Sequence, residues 1–166
     1  MTVRVVLVGP MGAGKSTVGA LLADALGTTA RDTDADVETL EGRSVSDIFV
    51  DSGEAHFRDL ERKAVAEALA THDGVLSLGG GAVLDPATRD LLAGHTVVFL
   101  KVGLAEAVKR VGLGTSRPLL LGNVRSRIKA LLDERTPIYE SVATLTVDTD
   151  ERAPEAVAAE IVEALA

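Results

Sequence analysis

The chain has 166 residues, no cysteine and a formal net charge of −8. That length suits one domain with a proper core rather than two; the lack of cysteine removes disulfides and thiolate metal sites, and the acidic balance argues against nucleic acid as a principal partner, because a phosphate backbone needs a cationic surface. The sequence runs from Met1-Thr2-Val3-Arg4 straight into an apolar run with no charged-then-apolar leader, and no stretch approaches the roughly 20 apolar residues that cross a bilayer. A soluble, cytoplasmic protein without a membrane partner is expected, and the short chain with few aromatics fits a monomer.

Apolar, β-rich runs at residues 3–8, 75–78, 96–102 and 143–147 alternate with helical patterns, and a short polar strand is expected near 28–32. This predicts an α/β protein, three layers with a central five-stranded parallel sheet between helices. Directly after the first run, residues 9–16 read Gly-Pro-Met-Gly-Ala-Gly-Lys-Ser, a complete G-x-x-x-x-G-K-[ST] phosphate-binding loop. Its glycines let backbone N–H groups turn toward phosphate oxygens, Lys15 reaches the β- and γ-phosphates, and the Ser16 hydroxyl suits Mg²⁺. The helix that follows, with Val18, Leu21, Leu22, Ala25 and Leu26 on one face, starts near Lys15 and aims its positive end at the same phosphates. Gly12, Ala13, Gly14, Lys15, Ser16 and Thr17 are therefore candidate nucleotide ligands.

Asp32-Thr33-Asp34 is placed at the carboxyl end of the second strand, on the sheet edge that carries the phosphate loop. One carboxylate there can hold Mg²⁺ through water, and the other can orient a substrate hydroxyl toward the γ-phosphorus. Residues 33–61 fit the alternation poorly and read as an irregular or inserted segment. A long helix over about 53–72 brings Phe57, Arg58 and Glu61 to one face. The Arg58–Glu61 pair is either an ordinary surface ion pair or, facing the cleft, a stiffened fork for a substrate carboxylate. Gly79-Gly80-Gly81 follows the third strand; such a run is either a plain turn or a place where backbone N–H groups approach a ligand closely. Ser77 stands where many phosphate-loop enzymes carry a metal-binding acid, which leaves the metal to Asp32 and Ser16.

Asp85-Pro86 and Pro154 carry the N-cap and first-turn signals of two structural helices. The glycine-flanked stretch 111–123 contains Arg117-Pro118, and residues 117–135 hold five cations against two anions, either a solvated helix face or a cationic cover for an anionic ligand. Arg135 precedes Thr136-Pro137 at the end of the next helical pattern. The strand-to-helix loop 147–154 is a place where adenine could stack. His56, His72 and His95 are scattered without metal-ligand spacing.

Together the phosphate loop, Asp32-Thr33-Asp34, Phe57-Arg58-x-x-Glu61, Gly79-Gly80-Gly81 and Arg117-Pro118-Leu119, in this order and spacing, resemble shikimate kinase of the actinobacterial type over essentially the whole chain. The resemblance implies a phosphate-loop kinase of the nucleoside-monophosphate-kinase fold that moves the γ-phosphoryl of ATP to the 3-hydroxyl of shikimate. It implies one kinase domain over 1–166, with a substrate-binding segment at about 33–61 and a lid at about 112–124. By the same resemblance Asp34 meets the ring hydroxyls, Arg58 and Arg135 grip the carboxylate, and Gly79, Gly80 and Gly81 bring backbone to the substrate. Glu61 then holds Arg58, while Phe49 and Phe57 wall the pocket. Lys15 and Arg117 serve the transferred phosphoryl, Ser16 and Asp32 the Mg²⁺, and Arg110 with Pro154 the adenine, with Arg152 nearby.

Gluconate kinase is the near alternative, disfavoured by Arg58 and the triple glycine, which suit a compact cyclic acid. A GTPase lacks support because the single asparagine, Asn123, is followed by Val124 and forms no guanine-reading N-K-x-D. A non-catalytic nucleotide-binding module would have no chemical reason to keep Lys15, Asp32, Asp34 and Arg117 together.

Overall fold

A computed structural model describes the backbone of residues 3–113 and 121–166, and side chains over 3–110 and 125–166. Arg117, and with it most of the expected lid, lies outside the described residues. Within them, five strands form one all-parallel sheet: β1 (Val5–Val8), β2 (Ala30–Asp32), β3 (Val75–Ser77), β4 (Val97–Lys101) and β5 (Leu145–Asp148), in the order β2-β3-β1-β4-β5. The helices are α1 (Lys15–Leu26), α2 (Thr33–Glu41), α3 (Val45–Ser52), α4 (Glu54–Thr71), α5 (Pro86–Leu92), α6 (Leu104–Leu113), α7 (Leu121–Val142) and α8 (Pro154–Leu165).

Alternation along the strands builds two cores. Val5 and Leu7 point to one face, where they meet Val18 and Leu22 of α1 and Val157 and Ile161 of α8. Val6 and Val8 point to the other, against Val65 and Leu69 of α4 and Tyr139 of α7. Both faces are apolar, as central strands of a helix-covered parallel sheet require. The α1 face differs from expectation by a small rotation: Val18, Gly19, Leu22 and Ala23 are buried, whereas Leu21 and Leu26 are half-buried and Ala25 is exposed.

Two further differences matter for the site. Residues 33–61 are helical, not irregular. Asp32 caps α2 by accepting from the Asp34 N–H at 2.8 Å, Ser44 caps α3 by accepting from the Asp47 N–H at 3.1 Å, and glycines 42 and 53 end these two helices. Their apolar contribution is small, with Val37, Ile48 and Phe57 forming a separate core, so hydrophobic periodicity gives little signal. Second, α7 does not stop at Arg135-Thr136-Pro137. Pro137 lies inside it, exposed, and the helix continues to Val142. Of the expected lid span, the ends belong to α6 and α7.

The strands are short, and their parallel register brings all their carboxyl ends to one edge. Leu7 pairs with Ser77 and Val8 with Phe99, so the phosphate loop after β1 and the triple glycine after β3 emerge side by side. Asp32 pairs with Ser77 and Lys101 with Asp148, which adds the loops after β2 and β5 to that edge. Crevices of this kind, beyond the carboxyl ends of strands, are where open α/β sheets bind ligands.

Candidate active site

Three depressions adjoin along this edge. The first, about 290 Å³, is bounded by Gly12, Thr17, Arg110, Thr149, Arg152 and Pro154. The second, about 310 Å³, is the phosphate cradle, with Gly12, Gly14, Lys15, Ser16, Asp32 and Asp34. The third, about 420 Å³, is lined by Asp34, Phe49, Phe57, Arg58, the three glycines and Arg135. Gly12, Gly14 and Thr17 belong to both the first and second, and Met11, Asp34, Gly79 and Gly80 to both the second and third.

At the cradle, Gly14 takes a left-handed conformation, φ +92°, and opens α1 without a side-chain cap, which leaves the helix's first N–H groups available to an anion. Lys15 donates its ammonium protons to the Gly9 and Pro10 carbonyls at 2.7 and 3.0 Å. Burial lowers its pKa from 10.5 to about 8, with Asp32 and then Asp34 opposing the shift. Asp32 divides its oxygens: Oδ1 caps α2, and Oδ2 accepts from the Ser16 hydroxyl at 3.5 Å, the outer limit of a hydrogen bond. Ala13 is buried beneath the loop, and Ser77 reaches the Lys15 carbonyl at 3.5 Å, under the start of α1.

In the first depression Arg110 is locked. Its guanidinium donates to the Gly12 carbonyl at 2.9 Å, to Thr149 Oγ1 at 3.2 Å, to the Thr149 carbonyl at 3.0 Å and to Glu106 at 3.2 Å. Thr149 is buried, and its hydroxyl donates to the Lys101 carbonyl at 3.0 Å. Pro154 lines the same depression as this fixed planar cation. Arg152 borders the same space while donating to the Asp148 carbonyl at 2.9 Å and pairing with Glu160 at 3.0 Å.

The third depression is built around Arg58. Its guanidinium donates to Glu61 Oε1 at 2.8 Å and lies 5.4 Å from the Phe57 ring and 6.0 Å from the Phe49 ring, with the two rings 4.8 Å apart. Glu61 is 3% exposed, so the pair is not the ordinary surface bridge that its i,i+3 spacing permits. Gly79 and Gly81 sit where a side chain would crowd its neighbours. A Cβ on Gly81 would stand 2.5 Å from Arg58, and one on Gly79 would stand 2.6 Å from Asp34 Oδ1 and 3.0 Å from Glu61 Oε2. Any side chain there displaces the groups that line the cleft. Thr33, fully buried, accepts from the Gly79 N–H at 3.4 Å.

The charges of this cleft are poorly solvated. Burial, followed by the neighbouring Asp32 carboxylate, raises the Asp34 pKa above the usual carboxylate range. Burial also raises that of Glu61, against the opposing pull of Arg58. Asp34 Oδ1, Glu61 Oε2 and Arg135 Nε are buried without a hydrogen-bond partner, an arrangement costly unless a ligand supplies the missing groups.

The structure thus gathers every sequence candidate among the described residues onto one edge. The histidines lie elsewhere: His56 contacts Glu41 at 3.0 Å, and His72 contacts the Thr29 and Val75 carbonyls. Three contributors to the site carry no role in the sequence reading. Thr33 and Thr149 act through buried hydroxyls, for which composition gives no signal. On α7, Ile128, Leu131 and Leu132 line the third depression, and their spacing of three and four from one another and from Arg135 is a helical stripe that could have been read.

A family model described as shikimate kinase matches residues 11–166. A shikimate kinase of Thermobifida fusca is 63% identical over 150 residues, 90% of this chain and 87% of its own. The solved structure of shikimate kinase from Acinetobacter baumannii in complex with shikimate superposes with a TM-score of 0.91 at 34% identity, covering 99% of this chain and 93% of that one. A gluconokinase from Sinorhizobium meliloti 1021 shares the fold alone, at a TM-score of 0.64 and 22% identity over 98% of this chain and 90% of its own. The chain belongs to the shikimate kinase family, and its reaction is transfer of the γ-phosphoryl of ATP to the 3-hydroxyl of shikimate, in the chorismate and aromatic amino-acid pathway.

Proposed function

We propose that the three adjoining depressions hold adenosine, the phosphates and shikimate in that order, so that transfer occurs where the second opens into the third. The observation that carries this reading is that Asp34, Gly79 and Gly80 line both. An acceptor hydroxyl beside Asp34 then sits next to the end of the phosphate cradle, as in-line displacement demands.

Each residue's task follows from its surroundings. Arg58, braced by Glu61 and the two phenylalanine rings, and Arg135 from the opposite wall present forked donors to a carboxylate. Asp34 accepts from the 3-hydroxyl and orients it; a raised pKa favours taking up the hydroxyl proton as transfer proceeds, although a loose transition state asks little of a base. Lys15 exchanges its two loop carbonyls for phosphate oxygens. Arg110 and Pro154 flank adenine, with Arg152 at the rim. Arg117 is assigned to phosphate oxygens, and 112–124 to the lid, on the family resemblance alone. Exclusion of water by such a cover protects ATP from hydrolysis.

The donor set fits Mg²⁺. Ser16 Oγ and Asp32 Oδ2 face each other at the start of α1, hard oxygens of the kind that hold this ion together with substrate phosphates and water. Held by Ser16 and Asp32, it would supply positive charge against that developing on the phosphates. The enzyme is read as a cytoplasmic monomer with no nucleic-acid or membrane partner; among the described residues no helix is long and apolar enough to cross a membrane.

The test is ADP release by purified protein with MgATP and shikimate, gluconate or no acceptor. Release on the order of 1–100 s⁻¹ with shikimate alone is expected. Equal release with gluconate, or without acceptor, would refute the assignment of the third depression.

A further inference from the structure

Tyr139 is the largest fully buried side chain among the described residues, and it does not line the cleft. It stands one helical turn beyond Arg135 on α7, with its ring 5.0 Å from that of Phe99 on β4. Its hydroxyl donates to the Gly80 carbonyl at 2.5 Å. Burial raises its pKa, so the phenol stays protonated and remains a donor.

That bond has a geometric consequence on the other side of the loop. The peptide joining Gly80 and Gly81 is trans, so its C=O and N–H point in opposite directions. With the Gly80 oxygen held toward Tyr139 and the core, the Gly81 N–H is turned away from the core, toward the cleft that Gly80, Gly81, Arg58 and Arg135 line. A peptide between two glycines has little steric preference for one orientation over its flip. Something outside the loop must select it.

We infer that the Tyr139 hydroxyl is a positioning residue for the acceptor acid: it fixes the Gly80–Gly81 peptide so that the Gly81 N–H faces the substrate. The same side chain sets the distance between the triple glycine and the turn of α7 that carries Arg135. The two walls of the cleft are thereby tied together behind the substrate. This rests on the reading of the third depression as the shikimate site, and the experiment separates the two.

Three variants are compared by steady-state kinetics and thermal unfolding. Tyr139→Phe keeps the ring and removes only the donor. It is expected to raise the KM for shikimate about tenfold, the loss of one well-placed hydrogen bond, with kcat and the KM for MgATP within about twofold of the parent. Phe99→Leu disturbs the ring packing and leaves the hydroxyl; it is expected to lower the melting temperature without moving the KM for shikimate. Arg58→Ala reports on the site itself and is expected to raise that KM. An unchanged KM for shikimate in Tyr139→Phe, with Arg58→Ala raising it, overturns the inference alone. So does a rise in Phe99→Leu equal to that in Tyr139→Phe, since the effect would then be packing. If Arg58→Ala also leaves the KM unchanged, the site assignment fails and the inference with it.

Discussion

The two ends of the active-site trench are built on opposite plans. At the end assigned here to the nucleoside, Arg110 directs its donors to Gly12, Thr149 and Glu106, and Thr149 in turn is satisfied by Lys101. At the end assigned to the acid, Asp34, Glu61 and Arg135 each bury a polar atom that has no partner. A self-satisfied site recognises shape and presents a flat surface; an unsatisfied one gains its missing hydrogen bonds only from the right ligand. The contrast predicts loose discrimination among nucleosides and tight discrimination among acids, because a ligand lacking one hydroxyl or carboxylate leaves buried groups unpaired.

Substitutions can break that contrast, beginning at the acid end. Asp34→Asn should lower kcat by about a hundredfold or more, with the KM for MgATP little changed; unchanged turnover in a shikimate-dependent ADP assay removes Asp34 from the chemistry. Arg58→Ala should raise the KM for shikimate by roughly 10- to 100-fold, as expected for losing charge-assisted hydrogen bonds of about 1.5–3 kcal/mol. An equal rise for MgATP would show that the two ends are not independent.

Between the ends, Lys15 has its pKa lowered to about 8 by burial. The free enzyme therefore loses this positive charge as pH rises through about 8, and kcat/KM for MgATP should fall above that pH by up to about tenfold per unit. A profile flat through about pH 9.5 would contradict the buried, neutralisable lysine.

The same sharpening extends to stability. Asp34 has a folded-state pKa above its ordinary value, so the folded state binds the proton more tightly than the unfolded chain does. Its stabilising share is present below the ordinary carboxylate range and is lost as pH rises through the folded value. Asp34→Asn, which carries no charge to desolvate, should consequently melt above the parent at about pH 7 to 8, with the gap closing as the solution is acidified. Smallest of all, Thr149→Val should raise the KM for MgATP about fivefold, the equivalent of one hydrogen bond of about 1 kcal/mol holding Arg110.

Legibility in the sequence followed the same division between backbone and side-chain devices. The phosphate loop could be read because glycines, a lysine and a serine at fixed spacing have few other uses, and the strand before it is plainly apolar. Arg58 and Glu61 could be placed on one helix face, yet whether that face met solvent or the cleft depended on tertiary burial that spacing does not encode. The segment 33–61 was obscured because α2 and α3 each bury little: Thr33 and Val37 in one, Ile48 in the other. Their caps, Asp32 and Ser44, are the readable signal, and the metal role that the resemblance gives Asp32 masks its capping role. The helical pattern in the sequence ends at Arg135-Thr136-Pro137, but in α7 Pro137 sits on the exposed side and the helix runs past it. Tyr139 carries no site signal of its own in the sequence, because its bond to Gly80 joins residues 59 positions apart and leaves no local trace.

Among the described residues, the compartments of the trench share their borders. Its adjoining compartments share Gly12, Gly14 and Thr17 at one junction, and Met11, Asp34, Gly79 and Gly80 at the other, so glycine backbone takes part in both boundaries. A single molecule joining adenosine to a cyclic polyhydroxy acid through a phosphate bridge would follow this shared lining from one compartment to the next. It would lose its translational freedom once rather than twice, which places such bisubstrate compounds among the tightest inhibitors this architecture can accept.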